Sequence, residues 1–173
     1  MKIIISPAKK MNIREDELEW ANLPCFLSRA EELKRYIQGL DLDQARKLWQ
    51  CNEKIALLNY GRFKEMDLER RLTPALLSYE GIQYQYMAPG VFEQGQWDYV
   101  QEHLRILSGF YGILKPLDGI VPYRLEMQAK VELPSGIKSL YDYWGSSICR
   151  ELAADETLIV NLASKEYSRA VGP

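Results

Sequence analysis

Ile3-Ile4-Ile5, three β-branched residues in succession halted at Ser6-Pro7, constrain this chain more than any other feature. An apolar run without polar alternation is the pattern of a buried strand, and proline, lacking an N–H, ends the ladder. A second such run, Thr157-Leu158-Ile159-Val160, lies near the other end, followed by Asn161-Leu162-Ala163-Ser164. Between the two, strand and helix patterns interleave without a strict βαβ rhythm. That predicts an α+β or mixed α/β domain, with one central mixed sheet and surrounding helices.

The helix patterns are the clearest. Phe26, Ala30, Leu33, Ile37 and Leu40 recur at gaps of four and three, and Gly39 supplies a stop. Asp41 to Trp49 sets Leu42, Ala45, Leu48 and Trp49 on one face, and Asn52 caps a further helix running towards Phe63. The short gap between them predicts a compact helical hairpin over 41–66. Thr73-Pro74 is expected to open a helical turn, Ser78 to Met87 to form a strand, and Leu140 to Leu152 a helix. Arg105 to Leu114, with Gly109 and Gly112, reads as a buried strand and a close backbone approach. Tyr123 to Met127 alternates polar and apolar as a half-buried strand does.

Length and composition narrow the function. The 173 residues suit a single domain, 1–173, and Lys plus Arg (22) nearly balance Asp plus Glu (24). A histone-like polycation and an acidic tail are excluded, no apolar run approaches a membrane span, and Pro7 interrupts any signal peptide. Cys25, Cys51 and Cys149 have no C-x-x-C spacing, so a reducing cytoplasm is expected, with neither disulfide framework nor structural metal. His103 is the only histidine, which excludes an H-E-x-x-H site and a ferritin-like di-iron centre; it reads as a surface or capping residue.

Three constellations could carry chemistry. Ser6-Pro7-Ala8-Lys9-Lys10 directly follows a strand, where open sheets place ligands, yet no glycine-rich cradle accompanies it. Between Arg46 and Arg71 seven basic residues face four acidic ones, a local excess of three in a chain of net charge −2. The hairpin reads either as a phosphate binder, through helix-start N–H groups and cations, or as an ordinary amphipathic pair with a charged face. Gln50-Cys51-Asn52-Glu53 contains no glycine. Arg124 and Glu126 sit two apart on an extended segment and project to one face, as an ion pair or as a cation beside a base. Tyr141, Tyr143 and Trp144 read as core or as a stacking platform.

Four strings together are recognisable: Ile4-Ile5-Ser6-Pro7-Ala8-Lys9, Leu107 to Asp118, Pro122 to Met127, and Asn161 to Tyr167. With Leu140 to Gly145 they resemble the YaaA family of bacterial peroxide-stress proteins along the whole chain. The resemblance implies a cytoplasmic protein that protects cells from hydrogen peroxide by limiting free iron and oxidative DNA damage. It also implies binding to double-stranded DNA, and a fold with a helix-hairpin-helix motif and a positively charged cleft. That motif is expected at 41–66, which favours the phosphate-binding alternative for the hairpin. Lys9 and Arg124 fall on the family strings. The nucleic-acid-binding candidates are then Lys9, Lys10, Arg46, Lys47, Lys54, Arg62, Lys64 and Arg124, with no cofactor expected and no catalytic residue assigned. An alternative from another class is an enzyme acting on a nucleotide or damaged nucleic acid, with Lys9 and Arg124 as anion binders and Glu126 as base. Members of the family continue by several tens of residues, and Lys165 to Ala170 reads as a helix opening, so a C-terminal part is expected to be missing here.

Overall fold

The computed structural model describes residues 1–14, 18–154 and 158–172; the acidic run Glu15-Asp16-Glu17, Asp155-Glu156-Thr157 and Pro173 lie outside them. The isoleucine run forms β1 (Lys2–Ile5), followed by β2 (Lys10–Met11). Three helices come next: α1 (Leu27–Gln38), α2 (Leu42–Trp49) and α3 (Glu53–Lys64). A stretch of short elements follows: β3 (Thr73–Pro74), α4 (Ala75–Ser78), β4 (Tyr79–Glu80) and α5 (Ile82–Met87). Then come α6 (Gln94–His103), β5 (Leu104–Ser108), β6 (Gly112–Leu114) and β7 (Gly119–Ile120). The described chain finishes with α7 (Leu140–Trp144), α8 (Ser147–Ala153), β8 (Ile159–Asn161) and α9 (Lys165–Ser168).

The central sheet is mixed, in the order β6-β5-β1-β8. β1 runs parallel to both neighbours, β5 and β8, while β6 returns antiparallel from β5. Flanked on both edges and covered on both faces, β1 buries Ile4 and Ile5 almost completely, which is why that strand carries no polar alternation. The antiparallel pairs β2–β4 and β3–β7 are two residues long and stand outside this sheet.

α1 buries Ala30, Leu33 and Ile37, one stripe of its surface. α2 starts on a reciprocal cap, Asp41 Oδ1 accepting from the Gln44 N–H at 2.8 Å and Gln44 Oε1 from the Asp41 N–H at 2.9 Å. It ends at Gln50, whose φ of 46° reverses the chain, and Asn52 Oδ1 then caps the Ile55 N–H at 2.9 Å. α2 and α3 are therefore joined by a short turn that contains no glycine, with Asn52 capping the second helix.

Several local expectations are corrected. Ser78 to Met87 is not a strand: it breaks at Gly81 after β4 and continues as α5, whose Ile82 and Tyr86 point into solvent. Thr73-Pro74 pairs as β3, and the helical turn starts after it. The helix over 140–152 is two helices, because Gly145 takes a φ of 50° and turns the chain between α7 and α8. Tyr123 to Met127 alternates buried and half-buried as expected, but forms no ladder. Backbone contact with Gly109 takes its place: a Cβ on Gly109 would lie 2.5 Å from the Leu125 carbonyl oxygen and 2.9 Å from the Glu126 carbonyl carbon. Tyr143 and Trp144 are core, and the Trp144 indole N–H donates to the Gly109 carbonyl at 2.9 Å.

Candidate functional site

The carboxyl ends of β1 and β8, neighbouring parallel strands, open onto a cleft of about 270 Å³. Sheet order changes direction here, with β5 on one side of β1 and the later β8 on the other, and such a crevice is where open sheets bind ligands. Ser6 to Lys9 enter from the end of β1, Tyr123 to Glu126 from the segment pinned by Gly109, and Ser164, Glu166 and Tyr167 from the end of β8. Three of the four strings singled out in the sequence thus meet at one place. The fourth backs them: Ser108, at the end of β5, is hydrogen-bonded to Tyr123 at 2.6 Å.

Glu126 organises the charges. Its Oε1 lies 2.8 Å from Lys9 Nζ and its Oε2 lies 3.4 Å from Arg124 Nη2. The Arg124 side chain is 11% exposed, and its Nε is buried without a hydrogen-bond partner. Glu166 stands across the cleft, accepting from the Gln128 N–H at 3.3 Å. Burial pushes its carboxyl up; the Gln128 N–H opposes this and the Glu126 charge reinforces it. Ser6 Oγ accepts from the Ser164 N–H at 2.8 Å, tying the two strand ends together.

Beneath the cleft runs a chain of buried hydroxyls. Ser108 Oγ accepts from the N–H groups of Phe110 (3.2 Å) and Tyr111 (2.9 Å), so its own hydroxyl donates to Tyr123. Tyr123 also meets the Tyr79 hydroxyl at 2.7 Å. Burial pushes the Tyr123 phenol up to about 12, although the Ser108 and Tyr79 hydroxyls hold it down, so Tyr123 stays neutral near pH 7.

The remaining basic candidates separate into two groups. Lys10 pairs with Glu80 at 2.7 Å. Arg62 turns inward, Nη2 donating to the Met11 carbonyl at 3.3 Å, and burial lowers its pKa. Lys64 donates to the Gln38 carbonyl at 3.2 Å and sits over the Tyr60 ring. Arg46, Lys47 and Lys54 instead are exposed on α2 and α3, near the hairpin turn, and make no ion pair or side-chain hydrogen bond among the described residues. The turn and the cleft share a field. At Cys51, burial raises the thiol pKa most, Arg124 and Arg46 lower it, and Glu126 raises it.

Sequence reasoning placed Ser6 and Lys9 in a candidate ligand loop, joined Lys9, Arg124 and Glu126 only as an alternative, and missed Glu166, Ser164 and Tyr123 as cleft residues. These three lie in the strings quoted for the resemblance, so the signal was present, but not their meeting. His103, at the end of α6, donates from Nδ1 to the Met1 carbonyl over 2.9 Å.

Comparison with known proteins identifies the family. A family model described as "Peroxide stress protein YaaA" matches residues 1–173. A UPF0246 protein of Desulfitobacterium hafniense is 57% identical over 171 residues, covering 99% of this chain and 68% of the relative. UPF0246 proteins of Agathobacter rectalis and Pediococcus pentosaceus are 52% and 49% identical, over 99% and 100% of this chain and 68% of each relative. With the whole chain matched by the family model and by these relatives, it belongs to the peroxide stress protein YaaA family.

Proposed function

We propose that this chain serves a cytoplasmic peroxide-stress response by binding double-stranded DNA through its phosphates, without strong sequence readout, and that it helps to limit free iron and oxidative DNA damage. The observation that carries the binding step is the trio Arg46, Lys47 and Lys54, exposed and uncompensated around a capped helical hairpin. Cations not engaged within the protein are the ones that can displace counterions from a duplex. Arg124 and Lys9 in the adjacent cleft are held by Glu126 and would position a phosphate rather than attract it from a distance.

Fluorescence anisotropy of unrelated labelled duplexes, titrated from low to physiological salt, tests the reading. Affinity should fall steeply with salt and alike for every sequence. Weak binding that ignores salt overturns it.

A second reading rests on a different observation: the contact of Lys9 and Arg124 with one carboxylate at the strand ends. That arrangement suits an enzyme acting on a nucleotide or damaged nucleic acid, with the two cations holding phosphate and Glu126 taking a proton. Product formation from such substrates that survives unchanged in Glu126→Gln would remove Glu126 as the base.

A further inference from the structure

α3 has two faces, and the fold uses one. Ala56, Asn59 and Phe63 are buried against the core. Diametrically opposite runs Lys54, Leu58, Gly61 and Glu65, spaced four, three and four, and every one of them is exposed. Leu58 is 55% exposed and Leu57 beside it 52%, an apolar centre between a cation and an anion. Gly61 is the unusual member. Glycine in a helix interior is unfavourable relative to alanine, and here a Cβ would meet nothing within 4 Å. No described residue fills the space beside Gly61, so the bare backbone there leaves room for another helix to approach closely.

We propose that this face is a self-association surface, and that its occupant is α3 of a second copy, antiparallel about a two-fold axis. Charge and shape both select that partner. Lys54 and Glu65 are symmetric about a point between Asn59 and Tyr60, and Leu58 and Gly61 are symmetric about the same point. An antiparallel pair therefore sets each Lys54 against Glu65 of the other copy, and each Leu58 over the bare backbone of Gly61 in the other copy. Small residues at a crossing allow helices to approach closely, and leucine fills the groove so formed. Neither Lys54 nor Glu65 has an ion-pair partner within the described chain. One twelve-residue helix pair buries less than the roughly 1,200 Å² of a standard interface, so the dimer is weak, on the order of 100 μM.

Sedimentation equilibrium of the 173-residue chain without nucleic acid, from about 10 μM to about 1 mM, tests the inference. The wild type should pass from monomer to dimer across that range. Gly61→Gln should stay monomeric while its thermal midpoint holds or rises, because glutamine favours helix over glycine; this separates a lost surface from a lost fold. Lys54→Glu should weaken the dimer about tenfold, and the double variant Lys54→Glu/Glu65→Lys should restore it. A chain monomeric up to about 1 mM overturns the proposal. So does a dimer that persists in Gly61→Gln, or a double variant as weak as Lys54→Glu alone. The measurement is made without DNA, so its failure is distinguishable from that of the hairpin reading; the two share Lys54, which a dimer would engage, leaving Arg46 and Lys47 open.

Discussion

The cleft and the hairpin turn lie side by side, and they treat positive charge in opposite ways. In the cleft, Lys9 and Arg124 share the Glu126 carboxylate at contact distance, and Arg124 is nearly buried. On the hairpin, Arg46, Lys47 and Lys54 stand in water with no partner within the described chain. A cation with an internal partner must break that contact before it meets a ligand, so it selects and positions. A cation in water attracts from a distance and yields to salt. Under the proposed duplex binding, the hairpin would serve capture and the cleft orientation. Arg62 shows how little residue type decides: it lies on α3 like Lys54, yet is tied to the Met11 carbonyl and serves packing.

The sharpest way to break the comparison is to dislodge the cleft alone. Gly109→Ala forces a Cβ onto the Leu125 and Glu126 backbone, so a loss of more than about 3 kcal/mol in denaturant stability is expected, together with the cleft geometry. A fully stable Gly109→Ala would mean that the 123–127 segment is not pinned as described.

Next in size, replacing Arg46, Lys47 and Lys54 together by alanine should weaken duplex binding about thirtyfold at low salt and lower the salt slope by about 0.9 per lost contact. Lys9→Ala, by contrast, should cost no more than about threefold, because that ammonium is already paired. Equal losses in the two variants would erase the distinction between capture and orientation.

A smaller effect concerns a carboxylate buried away from both regions. Asp118, 3% exposed, has its pKa pushed up to about 6 from the ordinary 3.8 by burial, against the pull of the Lys115 N–H. The folded chain holds that proton more tightly, so this contribution is full below pH 3.8 and is lost as pH rises through about 6. Asp118→Asn should flatten the stability curve over that window by on the order of 1 kcal/mol, measured by urea unfolding at a series of pH values. The smallest expected change is Glu126→Gln, which frees Lys9 and Arg124 and should raise duplex affinity about twofold to threefold. A fall instead would make Glu126 a part of the binding surface.

The elements legible from sequence are those fixed by local rules. α1, α2 and α3 appear where their spacing and caps put them, because Asp41 and Asn52 act on N–H groups three residues away. The segment from Ser78 to Met87 departs from the expected strand because its large residues share no inside face. Tyr79 and Tyr84 are buried, but Ile82 and Tyr86 face water, and Gly81 divides the segment into unlike halves. For Tyr123 to Met127 the alternation was right and the ladder was not, since a strand needs a partner that no local rule supplies. The site was half legible: Arg124 and Glu126 share a face by period alone, whereas Lys9 and Glu166 reach them only through the pairing of β1 with β8.

The sequence by itself determined a buried first strand, a capped helical hairpin and an Arg124–Glu126 couple, all consequences of interactions within a few residues. Which cations are neutralised and which remain open was decided by tertiary structure alone. Charge compensation depends on distance in space, and Lys9 and Glu126 are brought to 2.8 Å only by parallel strands and the close approach at Gly109. The outward stripe on α3 belongs to both levels. Its spacing is written in the sequence, but its exposure became visible only once the opposite face had been packed.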